Sequence, residues 1–178
     1  MKTGRLVFAV LGLLLTPAWA HAAHMSLGGN FSFVQLSQGS ENSTVVAFPS
    51  DVLVGIVPGF RIGAVGARGM DEGFLDLGVV SIEEEHFTAL TLNYQRHLTR
   101  GATAPFLTAG WGVYRNDFSG AGSDTQTLVG GGLGVTHRLA HGQGALRAEI
   151  HVDSLEQSSE NDALVSVGLK LGFDLYLH

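Results

Sequence analysis

From Val165 to Leu177 the chain alternates without a break. Val165, Val167, Leu169, Leu171, Phe173, Leu175 and Leu177 share one face, and Ser166, Gly168, Lys170, Gly172, Asp174 and Tyr176 share the other. Successive residues of a helix are rotated by about 100°, so no helix holds a period of two over this length; a pleated strand holds it automatically.

The same period runs back through the sequence. Leu146, Ala148, Ile150 and Val152 alternate with Arg147, Glu149, His151 and Asp153. Val129, Gly131, Leu133 and Val135 alternate with Gly130, Gly132, Gly134 and Thr136, and Leu107, Ala109, Trp111 and Val113 with Thr108, Gly110, Gly112 and Tyr114. Leu90, Leu92 and Tyr94 oppose Thr91, Asn93 and Gln95. Three more strands are expected at Met25 to Leu36, Thr44 to Val57 and Phe60 to Met70, the second distorted at Pro49, which has no N–H to give to a ladder. Three connections read as tight turns: Pro58-Gly59, Thr99 to Thr103 and Ala140 to Gly144. Four read as polar loops: Gln38 to Ser43, Asp71 to Glu84, Asp117 to Asp124 and Glu156 to Asn161. Short turns alternating with polar loops predict an all-β, eight-stranded, antiparallel up-and-down barrel.

The N-terminus reads as an export signal over residues 1–22, with residues 23–178 as a single barrel domain. Lys2 and Arg5 precede an apolar core from Leu6 to Leu15, and Ala18-Trp19-Ala20 and Ala20-His21-Ala22 offer small-residue cleavage sites. That core is short of the roughly 20 residues a spanning helix needs. With no Cys there is no disulfide framework, no thiolate chemistry and no lipid-bearing N-terminal cysteine. Loss of Lys2 and Arg5 moves the net charge from −6 to −8, which argues against nucleic acid as a partner.

Alternation alone leaves open which face points inward. A soluble periplasmic ligand-binding barrel buries its apolar face, and a membrane barrel reverses it. Three features favour the membrane arrangement. Glycine accounts for 25 of 178 residues, about twice the usual roughly 7%, and Gly110, Gly112, Gly130, Gly132, Gly134, Gly168 and Gly172 all fall on the polar face. There they would only weaken a solvated strand, whereas inside a narrow barrel they make room for large polar groups. The apolar faces are also long enough to cross a bilayer, and export makes the outer membrane reachable.

These residues carry a family likeness. Leu92-Asn93-Tyr94-Gln95-Arg96-His97 followed by Pro105-Phe106-Leu107-Thr108-Ala109-Gly110-Trp111-Gly112-Val113-Tyr114 resembles a strand, periplasmic turn and glycine-aromatic strand of the small outer-membrane barrels of the OmpA transmembrane-domain and OmpX type. Gly130 to Val135 with Ala145 to Ile150 is similar to the next hairpin. The resemblance covers essentially residues 23–178 and implies a monomeric integral barrel in outer-membrane lipid and lipopolysaccharide, inserted by the barrel-assembly machinery. Members of that family usually end on an aromatic residue that the machinery recognises; this chain ends Phe173-Asp174-Leu175-Tyr176-Leu177-His178.

With the polar faces inward, the lumen is expected to hold Asp51, Arg61, Asn93, Gln95, Arg138, Arg147, Glu149, His151, Asp153, Lys170 and Asp174. Charges packed in this way must be paired and hydrogen-bonded, which suggests a plug; a narrow gated pore is the alternative. His151 and Asp153 share a strand face and resemble part of a catalytic relay, but Ser154 faces away. The lipid A deacylase type of barrel enzyme uses a His-x-Ser pair, and here Asp153 stands at the third position. No catalytic residue, cofactor or metal site is assigned. The scattered histidines include His137 and His141 flanking a turn, without a third ligand at metal spacing. The acidic run at Glu83, Glu84 and Glu85, with Asp71 and Glu72, marks the longest expected loop. Trp111, Tyr94, Phe173 and Tyr176 suit interface girdles. The expected work is structural: envelope integrity or surface interaction.

Overall fold

The computed structural model describes residues 22–38, 41–46, 57–82, 85–118, 122–139, 142–156 and 164–177. Among them are nine strand segments. These are β1 (Ala22–Gln38), β2 (Glu41–Val46), β3 (Val57–Gly66), β4 (Asp71–Ile82), β5 (Glu85–His97), β6 (Thr103–Phe118), β7 (Gly122–Arg138), β8 (Gly144–Glu156) and β9 (Leu164–Leu177).

Every neighbouring pair is antiparallel, and β9 returns to pair with β1 from Met25 opposite Leu177 to Gln38 opposite Leu164. The sheet is therefore closed. On its other edge β1 pairs first with β3, from Ala22 opposite Gly66 to Ser32 opposite Val57, and then with β2, from Gln35 opposite Val46 to Gln38 opposite Glu41. The segments β2 and β3 thus occupy one stave, and the barrel has eight. Closure leaves no unpaired edge, which is what a sheet needs if its backbone groups are to sit in lipid.

The eight-stranded architecture agrees with the period-two reading, but the first half differs in its parts. Pro58-Gly59 is not a turn: both lie within β3, opposite Phe31 and Asn30. The proline is the second residue of the strand, near its end, where a missing N–H costs little. The turn falls later, at residues 67–70, where Gly69 adopts a φ of 64° and its N–H donates to the Gly66 carbonyl. The expected polar loop from Asp71 to Glu84 is instead the strand β4, which pairs with β5 from Asp71 opposite Arg96 to Ile82 opposite Glu85. Glu85 opens β5, and Glu83 and Glu84 lie outside the described residues. Of the expected strand from Thr44 to Val57, residues 47–56, Pro49 and Asp51 among them, also lie outside.

Side chains are distributed the reverse of a soluble protein. Among the described residues only five hydrophobic ones are buried, Val65, Phe74, Ala104, Phe106 and Ala145, against fifteen polar or charged ones. Twenty-five large hydrophobics among the described residues are exposed, including all seven outward positions of β9 from Val165 to Leu177. At about 3.3 Å per residue and a tilt near 40°, those positions cover roughly 30 Å along the barrel axis, enough for an apolar band of about 25 Å. Contiguous apolar surface on this scale is not tolerated in water. The polar face is the inside, and the fold is that of a transmembrane barrel.

Candidate functional site

The lumen is built on a repeated steric rule. An inward glycine on one strand lets a polar side chain from the strand before it reach one on the strand after. Ser26 faces Gly63, and its Oγ donates to Oε1 of Glu72 at 2.6 Å; a Cβ at Gly63 would lie 2.6 Å from that Oγ. Asn30 faces Gly59, and its Nδ2 donates to both carboxylate oxygens of Asp76, at 2.8 and 3.0 Å. Thr108 faces Gly132, and its Oγ1 donates to Oε1 of Glu149 at 2.6 Å. The high glycine content is therefore a volume requirement of the polar face.

Arg61 sits at the centre of one cluster and is completely buried. Its Nη2 lies 2.9 Å from Oε1 of Glu72, and its Nε lies 3.6 Å from Oδ1 of Asp174, close enough for attraction but too far for a hydrogen bond. Its two terminal nitrogens approach Oε1 of Gln95 at 3.3 and 3.5 Å. The guanidinium carbon stands 3.3 Å from the centroid of the Phe74 ring, a cation–π stack. Gln95 in turn donates from Nε2 to Nε2 of His97 at 3.1 Å, and Thr136 Oγ1 lies 3.3 Å from the same nitrogen. His97 meets the Phe106 ring edge-on at 5.9 Å.

A second cluster follows β8. His151 stands between two carboxylates of its own strand, Nδ1 at 2.6 Å from Oε1 of Glu149 and Nε2 at 2.8 Å from Oδ1 of Asp153. The first contact is a hydrogen bond; the second is an ion-pair distance away from the hydrogen-bond direction. Residues two apart on a strand share a face, so this column follows from sequence spacing. Lys170 faces Glu149 across the β8–β9 ladder. Among the described residues no three His, Asp or Glu side chains converge in a way that would hold a metal ion.

Of the residues expected in the lumen, Arg61, Asn93, Gln95, Arg147, Glu149, His151 and Asp174 are buried there. Arg138, Asp153 and Lys170 are half-buried. Arg138 belongs to the turn end, where Nη2 donates to the Gly69 carbonyl at 2.9 Å, joining β7 to the β3–β4 turn. Asp51 lies outside the described residues. Sequence reasoning missed Glu72 and Asp76, because acids in a row read as a solvated loop. It also missed His97, although Asn93, Gln95 and His97 fall at the period that selects one face. Tyr176 shares the inward face of Asp174, so it belongs to no outer girdle. Tyr94 does face outward: its hydroxyl donates to Oδ1 of Asp71 at 2.5 Å, as Nη1 of Arg96 does at 2.7 Å.

Solved structures share this architecture. Neisserial surface protein A matches with a TM-score of 0.62 at 13% identity, over 85% of this chain and 96% of that one. The shared property is the fold. The outer membrane enzyme PagL matches at 0.49 and 16% identity over 80% and 97% of the two chains. Ail, the attachment invasion locus protein of Yersinia pestis, matches at 0.49 and 11% identity over 87% and 99%. No protein-family model and no curated protein matches the sequence. At such identities, architecture transfers and activity does not.

Proposed function

We propose that this protein is an integral outer-membrane barrel, exported by its segment 1–22, which serves envelope integrity or surface interaction and whose lumen is plugged by its own polar side chains. The observation that carries the reading is the inverted burial: among the described residues, twenty-five large hydrophobics lie outside and fifteen polar or charged residues within. In this reading the chain is a monomer in contact with outer-membrane lipid and lipopolysaccharide, inserted by the barrel-assembly machinery.

The lumen geometry supports a structural role over a catalytic one. A general base needs a ring nitrogen open to the group it deprotonates, and each nitrogen of His151 has a carboxylate oxygen within 2.8 Å. Thr108, the neighbouring hydroxyl, donates to Glu149 and not to the histidine. Ser154 is exposed on the outer face.

The test is fractionation of the full-length chain expressed in a Gram-negative host. The protein is expected to stay with the outer membrane through alkaline carbonate and urea washes. Release into the soluble fraction would overturn the reading.

A further inference from the structure

The charges of this chain are sorted along the barrel. The turns at residues 67–70 and 99–102 carry Arg68 and Arg100 and no acid. The connections Gln38 to Ser43, Asp117 to Asp124 and Glu156 to Asn161, at the other end of the strands, carry acids and no Lys or Arg. Three guanidinium groups converge on the first turn. Exposed Arg68 lies in it, exposed Arg100 donates from Nε to Met70 Sδ at 3.4 Å, and Arg138 donates from Nη2 to the Gly69 carbonyl at 2.9 Å. The backbone holds the two turns side by side, the His97 N–H donating to the Met70 carbonyl at 2.7 Å.

The acids at this end are engaged by other cations. Glu72 and Asp174 face the lumen with Arg61 between them, on the inward side that Arg138 also shares. On the outer side Asp71 takes Nη1 of Arg96 at 2.7 Å and the Tyr94 hydroxyl. Arg68 and Arg100 remain, and neither has a carboxylate at ion-pair distance among the described residues. A thioether is a weak acceptor, and water hydrates both cations without neutralising either. Their height decides what answers them. Tyr94 faces outward as an amphipathic ring suited to a membrane interface. Met70 is level with His97, three residues beyond it, or about 8 Å along the axis at 3.3 Å per residue and a tilt near 40°. The polar layer of a leaflet is about 5–8 Å deep, and a long arginine stem lets its head reach that layer.

We propose that Arg68 and Arg100 bind the phosphate groups of anionic phospholipids in the periplasmic leaflet and fix the depth of the barrel at its turn end. The planar guanidinium fork matches phosphate oxygens, and an anionic headgroup brings the net negative charge that a zwitterionic one lacks. The proposal rests on the outer-membrane reading, which sets short turns on the periplasmic side.

The experiment uses the protein purified from outer membranes of the expression host and reconstituted in phosphatidylcholine bilayers at low salt, with folding verified by heat-modifiable gel mobility. Trace spin-labelled phosphatidylglycerol or phosphatidylcholine is added, and electron spin resonance reads the fraction of each label restricted by the barrel. The wild type is expected to prefer phosphatidylglycerol by about two- to fivefold, because one cation near an anionic leaflet contributes a preference of about fivefold. Arg68→Gln with Arg100→Gln is expected to bring the ratio near one. Arg115→Gln, which removes the same charge at the far end of β6, is expected to keep it. If the double variant does not fold, salt on the wild type decides: 0.5 M sodium chloride should lower the ratio by screening, and an unchanged ratio overturns the site. Equal restriction of the two labels by the wild type overturns it, since the net negative charge of the chain alone favours no anionic lipid. An equal loss in Arg115→Gln and the double variant also overturns it, assigning the preference to overall charge. Loss of the preference on adding millimolar inorganic phosphate at constant ionic strength overturns the lipid as ligand and assigns the turns to a free anion. The two failures are distinguishable: a barrel recovered from the outer membrane without lipid preference refutes this site alone, whereas a protein absent from that membrane refutes the reading beneath it.

Discussion

Arg61 and Glu72, eleven residues apart on the paired strands β3 and β4, form an ion pair of 2.9 Å in which neither side chain retains more than 1% of its exposure, although across the ladder Arg61 faces Asp76. Such a pair is held as a unit. Desolvation of both charges has already been met, so removing one leaves the other stranded, at a typical cost of about 3–5 kcal/mol. Arg61→Met and Glu72→Gln are each expected to lower the unfolding free energy of the refolded barrel, read from urea titration, by an amount of that order. The double replacement Arg61→Met with Glu72→Gln is expected to cost less than the sum of the two single changes. A double-mutant cycle in lipid vesicles checks this, and additive effects would deny the coupling.

The inward glycines predict a different kind of sensitivity. A Cβ at Gly132 would lie 2.6 Å from both Oε1 of Glu149 and the Ile150 carbonyl, and 2.9 Å from Nδ1 of His151. Gly132→Val is therefore expected to destabilise by about 1–3 kcal/mol, the usual range for overpacking. Gly144 is the control, because a Cβ there meets its nearest atom, the Asp174 carbonyl oxygen, at 3.4 Å. Gly144→Ala is expected to stay within about 0.5 kcal/mol of the wild type. Equilibrium unfolding of the two variants separates steric need from mere glycine abundance.

The second half of the barrel was legible in the sequence because its alternation is unbroken. The faces read from Leu90 to Leu177 are the faces the ladders show, and seven of the eleven expected lumen residues are buried. The region between Glu41 and Ile82 was not legible, for a physical reason. Acids ordinarily mark solvent, yet in an inverted barrel an acid also marks the interior. Glu72, Phe74 and Asp76 occupy alternate inward positions of β4, while Leu75, Leu77 and Val79 face out. The period was present, and the charge concealed it. Pro58-Gly59 misled in the same way: Gly59 is needed for the Asn30 side chain lying over it, not for a bend. The Arg61 network draws on β3, β4, β5 and β9, and nothing in one strand's pattern announces which partners closure will bring together.

The outer surface carries a prediction that opposes ordinary intuition. Ile150 lies mid-strand in β8 and is 55% exposed. On a soluble protein, lysine there would be harmless. Facing the middle of a bilayer, it is expected to cost about 2–4 kcal/mol. Ile150→Lys should fold in detergent yet insert poorly into phospholipid vesicles, with a reduced heat-modifiable fraction. Equal insertion of variant and wild type would place Ile150 away from lipid.

The proposed plug makes the last prediction an electrical one. Arg61 is completely buried and Phe74 is 3% exposed, and the stack of one on the other fills the lumen beside the inward glycines Gly28 and Gly63. Neither glycine has a side chain to move into vacated space. Removing the stack with Arg61→Ser and Phe74→Ala should therefore leave a continuous polar gap, lined by Glu72 and Asp174 without their cation. In planar bilayers the wild type is expected to be silent or nearly so, and the double variant to conduct steadily, preferring cations because the lining acids remain. Gel mobility must first show that the variant is folded, since lost packing lowers stability as well. A folded double variant as silent as the wild type would mean that other lumen side chains close the barrel.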